Sequence, residues 1–228
     1  MDKTLCFAYS LQSLWEERLS LSLAPFGGIS TMALAANALG TLGEMVPPGF
    51  RIARQKFVID HPSLQEGVYH LDGKILKQKT GSLRDYLLCE TSARDSLGKG
   101  VTLETTLLRQ GSGNPDVIPR GESEECPSDQ EFHSTAQQIA AYCQLAGDTN
   151  PIHTGVSPLV PGMLLLLHLE AFLKGQGKML PQSFTVEYLQ PVYAGEGFHF
   201  MLHPGSCKGI HKSGIFLQLQ FQEDVTIE

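Results

Sequence analysis

The stretch Gly177-Lys-Met-Leu-Pro-Gln-Ser-Phe184 decides the fold, because Gly43-Glu-Met-Val-Pro-Pro-Gly-Phe50 resembles it at an offset of 134 residues. The same offset places Gly28 on Gly162 without a gap. After four additional residues in the first half, Glu66-Gly67-Val68 falls on Glu196-Gly197-Phe198. Ordered self-similarity of this kind is typical of a repeated structural unit. The sequence therefore predicts two copies of one unit.

Each copy combines helix patterns with strand patterns. Runs 28–42 and 162–174 are apolar nearly all round, as in a helix buried on most sides, and further helices are predicted near 9–21 and 134–145. Strands are predicted near 51–59, 67–78, 83–93, 99–109, 182–193, 197–204 and 213–222. We therefore expect an α+β fold in which each half is a central helix wrapped by an antiparallel β-sheet.

A segment rich in Gly, Pro, Ser and Glu, residues 111–128, separates the two copies. This composition is typical of an exposed linker, so we predict halves at 1–120 and 121–228. Residues 1–120 carry 13 Lys and Arg against 12 Asp and Glu, whereas residues 121–228 carry 4 against 12. A net charge of −7 disfavours nucleic acid as a partner. A phosphate-bearing ligand would need cations from the first half.

Several features predict a reduced, cytoplasmic protein. The longest apolar run, 159–167, is far short of the ~20 residues that cross a bilayer, so no membrane association is expected. The N-terminus fits neither a secretory signal nor an arginine-rich transit peptide. The five cysteines are scattered and form no Cys-x-x-Cys pair, so we expect free thiols.

The candidate catalytic residues lie in the second half. Asp148, Asn150 and His153 fall within six residues that Pro151 keeps from forming a regular helix. Each of the three can hold a water, and an acid or an imidazole can deprotonate it. The segment Pro161-Gly162-Met163 opens the next helix pattern, so the amides of Gly162 and Met163 should be unpaired donors at a helix N-terminus. A water-activating pair and an anion-stabilising group would then lie close together.

Structural explanations of the same residues compete with catalytic ones. Asp148 could be a turn residue bonded to its own backbone, which is common for Asp and Asn before Pro. Gly162 could be a packing glycine, because Gly28 occupies the matching position in a copy without the pair. At the repeat offset, Asp148 and His153 fall on Leu14 and Leu19. The first half is therefore predicted to lack the catalytic pair.

Two other groups of residues suggest weaker hypotheses. His199, His203, Cys207 and His211 recur every four residues, which on a helix would suit a metal, but Pro204 and the alternation of Phe198, Phe200 and Leu202 favour strand and turn. Arg51, Arg54 and Lys56 could face coenzyme phosphates, although a solvated strand face is the more common explanation. The chain contains neither a Gly-x-Ser-x-Gly elbow nor a phosphate-binding loop, which disfavours a serine hydrolase or a nucleotide triphosphatase.

The segment 142–153 resembles the signature of MaoC-like dehydratases and R-specific enoyl-CoA hydratases, in which Gly-Asp-x-Asn-Pro-hydrophobic-His follows a tyrosine. The positions that fit the signature are Tyr142, Leu145, Ala146, Gly147, Asp148, Asn150, Pro151, Ile152 and His153. The resemblance implies a double hot-dog fold with a degenerate first half. The chain departs from the family in its short 154–160 loop, in Pro161, which replaces a second histidine, and in Leu159, which replaces a small residue.

The resemblance also implies a reaction. The protein would be a hydro-lyase that hydrates 2-enoyl thioesters or dehydrates (R)-3-hydroxyacyl thioesters. Asp148 and His153, oriented by Asn150, would be its catalytic residues. The amide of Gly162, with Met163 beside it, would bind the thioester oxygen. The partner would be an acyl-CoA or acyl carrier protein thioester, no metal or other cofactor is expected, and a homodimer is plausible. A hot-dog acyl thioesterase and a non-catalytic acyl-binding subunit remain alternatives.

Overall fold

The computed structural model describes residues 3–23, 28–61, 64–110 and 130–221. Within these ranges, each half contains one short strand, two α-helices and four further strands, in that order. The first half comprises β1 (Lys3–Phe7), α1 (Tyr9–Leu19), α2 (Thr31–Gly40), β2 (Arg51–Ile59), β3 (Gly67–Lys79), β4 (Arg84–Arg94) and β5 (Gly100–Gln110). The second comprises β6 (Phe132–His133), α3 (Ala136–Ala146), a 3-10 turn (Pro151–His153), α4 (Gly162–Gly175), β7 (Ser183–Tyr188), β8 (Gly197–His203), β9 (Ser206–His211) and β10 (Gly214–Phe221).

All these strands form one antiparallel sheet in the order β1-β3-β4-β5-β2-β7-β10-β9-β8-β6. The order within the first half reappears, reversed, in the second half, with β2 and β7 joined at the centre from Arg54↔Glu187 to Val58↔Ser183. This arrangement confirms the predicted duplication. The proposed boundary between residues 120 and 121 lies outside the described residues and stays a prediction.

The sheet wraps the two helices that were predicted to be buried. In α2, seven of ten residues are buried, and in α4 ten of fourteen. The strands around them alternate buried and partly exposed positions, most regularly in β4, as expected for a sheet with one face on the core. Trp15 of α1 meets Tyr142 of α3 edge to face, with ring centroids 5.9 Å apart. One apolar core therefore connects both halves.

Two predicted boundaries differ from the structure by more than two residues, and three strands, β1, β6 and β9, were not predicted. The helix α2 begins at Thr31 rather than at residue 28, because the Ser30 side chain accepts a hydrogen bond from the Ala33 amide (3.0 Å) and caps it there. The strand β7 ends at Tyr188 rather than near 193. The strand β9 was not predicted. It pairs with β8 in a tight hairpin whose turn is only Pro204 and Gly205, and Gly205 has a φ of 69°.

The ends of α1 and α3 align the two copies differently from the sequence offset of 134, and this changes which first-half positions correspond to Asp148 and His153. Both helices end at a residue in the left-handed conformation, Ser20 (φ 54°) and Gly147 (φ 69°). Matching these ends places Asp148 on Leu21 rather than on Leu14, which lies inside α1. The counterpart of His153 becomes position 26, outside the described residues. The absence of the acid from the first copy therefore holds, although the predicted position was wrong.

None of the helices within the described ranges is long and apolar enough to cross a membrane.

Candidate active site

The candidate catalytic loop begins where α3 ends. The helix starts with a reciprocal Thr135–Gln138 capping box and stops at Gly147, whose φ of 69° suits glycine best. The amide of Asp148 still donates to the Cys143 carbonyl (2.9 Å), while its carboxylate Oδ1 accepts from the Asn150 amide (3.0 Å). One carboxylate oxygen thus forms the predicted turn. The other oxygen remains available for chemistry.

That second oxygen faces His153. Asp148 Oδ2 lies 3.5 Å from His153 Nε2, and the two side chains are 25% and 8% exposed, respectively. His153 Nδ1 lies 2.7 Å from the Leu159 carbonyl oxygen. Because a carbonyl oxygen can only accept a hydrogen bond, Nδ1 carries the proton of the neutral ring. The lone pair of Nε2 is then directed toward Asp148.

Two hydrogen-bond acceptors therefore face each other across 3.5 Å. A carboxylate and an imidazole lone pair repel at this distance unless a donor lies between them or the ring is protonated. A water molecule can satisfy both acceptors at once by donating one hydrogen to each. The geometry thus suits a water that is held and polarised from two sides.

Asn150 anchors the catalytic loop to the first half. Its side-chain Nδ2 donates to the Phe50 carbonyl (2.7 Å), and its Oδ1 accepts from the Gly49 amide (3.4 Å) and the Ile152 amide (3.5 Å). Asn150 was expected to orient the side chain of Asp148 or of His153. In the structure its backbone amide bonds the Asp148 carboxylate, while its own side chain fixes the position of the loop.

The predicted helix N-terminus lies beside this pair. The helix α4 begins at Gly162, and its N-cap Pro161 offers no side-chain cap. The amides of Leu164 and Leu165 donate to the Pro161 carbonyl (2.9 and 3.2 Å), whereas those of Gly162 and Met163 have no partner within the described residues. Two free donors are therefore present at the positive end of a buried helix.

Tyr188 was not identified from the sequence, although it packs against this helix end. A Cβ built on Gly162 would lie 2.9 Å from ring atom Cε1 of Tyr188 and 3.0 Å from Cζ. The Tyr188 hydroxyl donates to Gln55 Oε1 (2.7 Å) across the seam between the halves, and burial raises its pKa well above the usual value. Gly162 therefore has a packing role as well as a free amide.

A cavity of about 610 Å³ joins these pieces. Its lining includes Asp148, His153, Gly162 and Met163 from the second half. Apolar residues of the first half form another part of the wall, namely Ala36, Leu39, Leu42, Val46, Phe50 and Leu107. Its size falls in the range of sites for small molecules. Both copies thus contribute to one compartment.

The short loop after His153 is held by the backbone. The Leu159 amide donates to the Ile152 carbonyl (3.0 Å), and the Val160 amide donates to the Val192 carbonyl (2.8 Å). These bonds place the Leu159 carbonyl against the His153 ring. Sequence reasoning singled out Leu159 only for the size of its side chain, because no pattern signals which carbonyl will meet an imidazole.

The structure also shows where the residues of the two weaker hypotheses lie. His199 and His203 lie on β8, and Cys207 and His211 on β9, as the strand interpretation required. In the described ranges, no three His, Cys, Asp or Glu side chains gather as metal ligands would. Arg54 pairs with Glu187 (3.8 Å), whereas Arg51 lines the cavity.

By sequence, the chain matches no family model and no curated protein. By structure, it is similar to HtdX from Mycobacterium tuberculosis, with a TM-score of 0.74 and 14% identity over 96% of this chain and 98% of the other. A MaoC-like dehydratase from Phytophthora capsici gives a TM-score of 0.65 and 14% identity over 100% and 96% of the two chains. The chain has the double hot-dog fold.

The double hot-dog fold does not by itself choose a reaction. An acyl-ACP thioesterase from Bacteroides thetaiotaomicron shares it, with a TM-score of 0.58 and 11% identity over 96% of each chain. The fold predicted from the 142–153 motif is therefore confirmed. The reaction has to be argued from the site.

Proposed function

We propose that this protein is an R-specific hydro-lyase that hydrates 2-enoyl thioesters or, in reverse, dehydrates (R)-3-hydroxyacyl thioesters. The observation that carries the proposal is the 3.5 Å gap between Asp148 Oδ2 and His153 Nε2, two acceptors that one water can bridge. This gap opens on a cavity with apolar walls and two free helix amides. The resemblance of segment 142–153 to the MaoC-like signature supports the same reaction class.

In the hydration direction, the bridging water attacks the β-carbon of the enoyl thioester. His153 Nε2 accepts a proton from this water, and the adjacent Asp148 carboxylate stabilises the resulting imidazolium. Negative charge then develops on the thioester oxygen, where the amides of Gly162 and Met163 can donate hydrogen bonds at the positive end of α4. Return of the proton to the α-carbon completes the addition of one water.

The proposal is tested with Asp148→Asn and His153→Ala in an assay that follows loss of the enoyl thioester absorbance of crotonyl-CoA and longer homologues. Each substitution removes one of the two groups that hold and activate the water. We expect kcat/KM to fall at least ~100-fold, the lower end of what a positioned acid or base contributes. Wild-type rates in either variant would refute the assignment.

Two exposed residues provide matched controls. Asp72→Asn on β3 and His203→Ala on β8 change the same residue types on the surface, so they should keep full activity. Unchanged far-ultraviolet circular dichroism in all four variants would show that activity is lost without loss of fold.

A thioesterase is the second candidate, favoured by the structural similarity to the Bacteroides thioesterase. Hydrolysis would direct the same water at the thioester carbonyl rather than at the β-carbon. Release of free thiol from a saturated acyl-CoA separates the two reactions. We expect loss of the enoyl absorbance without thiol release. Thiol release at a comparable rate would favour the thioesterase, and tight binding without either reaction would favour a non-catalytic acyl-binding subunit.

A further inference from the structure

The charged residues that line the cavity are distributed unequally between the two copies. Among the described residues of the lining, the charged ones are Arg51, Arg84, Arg109 and Asp148. All three cations belong to the first copy, and the acid belongs to the catalytic loop. A protein with a net charge of −7 thus gathers positive charge at its main cavity.

We propose that Arg51 and Arg84 bind the phosphate groups of coenzyme A, so that the first copy recognises the carrier while the second performs the chemistry. This inference rests on the proposed function, because it concerns the substrate of the same site. It assigns a task to the half that lacks the catalytic acid. Arginine suits the task because its planar guanidinium offers paired donors to phosphate oxygens.

The sheet brings the three arginines together. They lie on β2, β4 and β5, which are adjacent in the order β4-β5-β2. Arg84 pairs in register with Gln110, Arg109 with Asp85, and Arg51 with Leu108. These pairs are consecutive along β5, so all three arginines lie at one end of the strands, and because side chains alternate between faces, Arg51 and Arg84 share one face while Arg109 belongs to the other.

One of the three is held rigidly. Arg109 donates to Asp85 Oδ2 through Nη2 (2.7 Å) and Nε (3.1 Å), and its guanidinium carbon lies 4.8 Å from the centroid of the Phe50 ring. The Phe50 carbonyl accepts the hydrogen bond from Asn150 in the catalytic loop. Arg109 is thus connected through Phe50 and Asn150 to the loop that carries Asp148.

Arg51 is exposed, and within the described residues it makes no hydrogen bond or ion pair. A side chain that lines the cavity without a protein partner can turn its full charge toward a ligand. Its neighbour on β2, Arg54, is already paired with Glu187 and does not line the cavity. These two arginines therefore differ in position while they share strand, charge and exposure.

The geometry favours coenzyme A over a protein-bound carrier. A specific protein partner needs roughly 800 Å² of complementary surface on each side, whereas the cations here lie within the wall of a concave cavity. Arg51 and Arg84 are both exposed on one face at the same strand end, so one ligand with several phosphates can contact both. An acyl carrier protein as the preferred carrier is an outcome that the experiment can detect.

The test compares crotonyl-CoA with the N-acetylcysteamine thioester of crotonate, which lacks all phosphates. For Arg51→Gln combined with Arg84→Gln, we expect the ratio of kcat/KM for the coenzyme A thioester to that for the short thioester to fall about tenfold, mainly through KM. Arg54→Gln is the matched control and should leave this ratio unchanged. The effect should weaken at high salt, because exposed charges are screened.

An unchanged ratio in the double variant, or an equal fall in the Arg54→Gln control, would overturn the inference. The inference would also be overturned, in favour of a protein carrier, by two results together. These are a higher kcat/KM for crotonyl acyl carrier protein than for crotonyl-CoA, and an equal fall of both values in the double variant.

Calorimetric binding of free coenzyme A distinguishes failure of the inference from failure of the proposed function. We expect the double variant to bind coenzyme A about tenfold more weakly than the wild-type protein or Arg54→Gln. This measurement needs no turnover. Normal hydration of both thioesters with unchanged coenzyme A binding would refute the arginine site alone, whereas arginine-dependent binding without any hydration would refute the reaction alone.

Discussion

At the residue scale, the position of the proton on the neutral His153 ring depends on a backbone atom. The Leu159 carbonyl fixes the proton on Nδ1, and so leaves Nε2 as an acceptor facing Asp148. The turn that Asp148 forms with its own backbone does not compete with catalysis, because the two carboxylate oxygens have separate partners. The structural and catalytic interpretations of this aspartate are therefore compatible.

Gly162 yields a prediction at the same scale. We expect Gly162→Ala to lower the free energy of unfolding by about 1–3 kcal/mol, because the new Cβ would lie about 3 Å from the Tyr188 ring and a packed site resists added volume. Urea titrations measure this change. The helix end carries the proposed oxyanion amide, so kcat/KM should fall with it.

Gly175→Ala is the matched control, because it lies on the same helix and its Cβ would meet nothing within 4 Å. It should be neutral or slightly stabilising. In a Tyr188→Ala background the cost of Gly162→Ala should shrink. An equal cost with and without the tyrosine ring would show that the contact is not the cause.

At the element scale, the two buried helices begin differently. The Thr31 amide at the start of α2 donates to Glu170 Oε1 (3.0 Å), and the Ser30 hydroxyl donates to Glu170 Oε2 (2.5 Å). The carboxyl group of Glu170 on α4 thus occupies the positive end of α2. The equivalent end of α4 faces the cavity with free amides. The first copy therefore lacks an open oxyanion site as well as a catalytic acid.

The buried Glu170 predicts an unusual pH dependence. Burial raises its pKa from 4.5 to about 7, and the hydrogen bonds from Ser30 and Thr31 oppose this only in part. The folded state therefore holds a proton that the unfolded state has already released. The contribution of Glu170 to stability should be full below about pH 4.5, fall as the pH rises to about 7, and then level off, with a loss of about 3 kcal/mol.

Unfolding free energies of Glu170→Gln across this pH range test the prediction, because the amide cannot ionise and the fall should disappear. Glu187→Gln, an exposed carboxylate paired with Arg54, should retain it. A wild-type protein that gains stability relative to Glu170→Gln as the pH rises would mean that the hydrogen bonds outweigh the burial.

At the scale of the whole molecule, the seam between the copies is part of the core. Phe57 of β2 and Phe184 of β7 are paired in register, and their rings stack with centroids 4.6 Å apart. The largest apolar cluster contains buried residues of both halves. The two copies should therefore unfold as one cooperative unit.

Phe57→Ala tests this expectation. We expect it to lower the free energy of unfolding by about 3–5 kcal/mol, the usual cost of removing a buried aromatic ring, and to destabilise both halves together. Pulsed thiol labelling located by mass spectrometry can follow Cys89 in the first half and Cys207 in the second, both buried. The two thiols should become reactive at the same urea concentration.

Val58→Ala provides the comparison. Val58 follows Phe57 on the same strand but is 42% exposed, so its substitution should lower the free energy of unfolding by less than ~1 kcal/mol. Exposure of Cys207 at a clearly different urea concentration from Cys89 would show two independent domains instead.

The sequence by itself determined the duplication, the four helices, seven of the ten described strands and the spacing of Asp148 and His153, because these follow from residue periodicity and from a contiguous motif. Only the tertiary structure decided the role of Asn150, the closed N-terminus of α2 and the proton position on His153. Each depends on a partner that local pattern cannot specify. Asn150 meets Phe50 across 100 residues, and Ser30 meets Glu170 across 140. Such pairs form only when the two halves join along β2 and β7, where register sets which side chain meets which backbone atom.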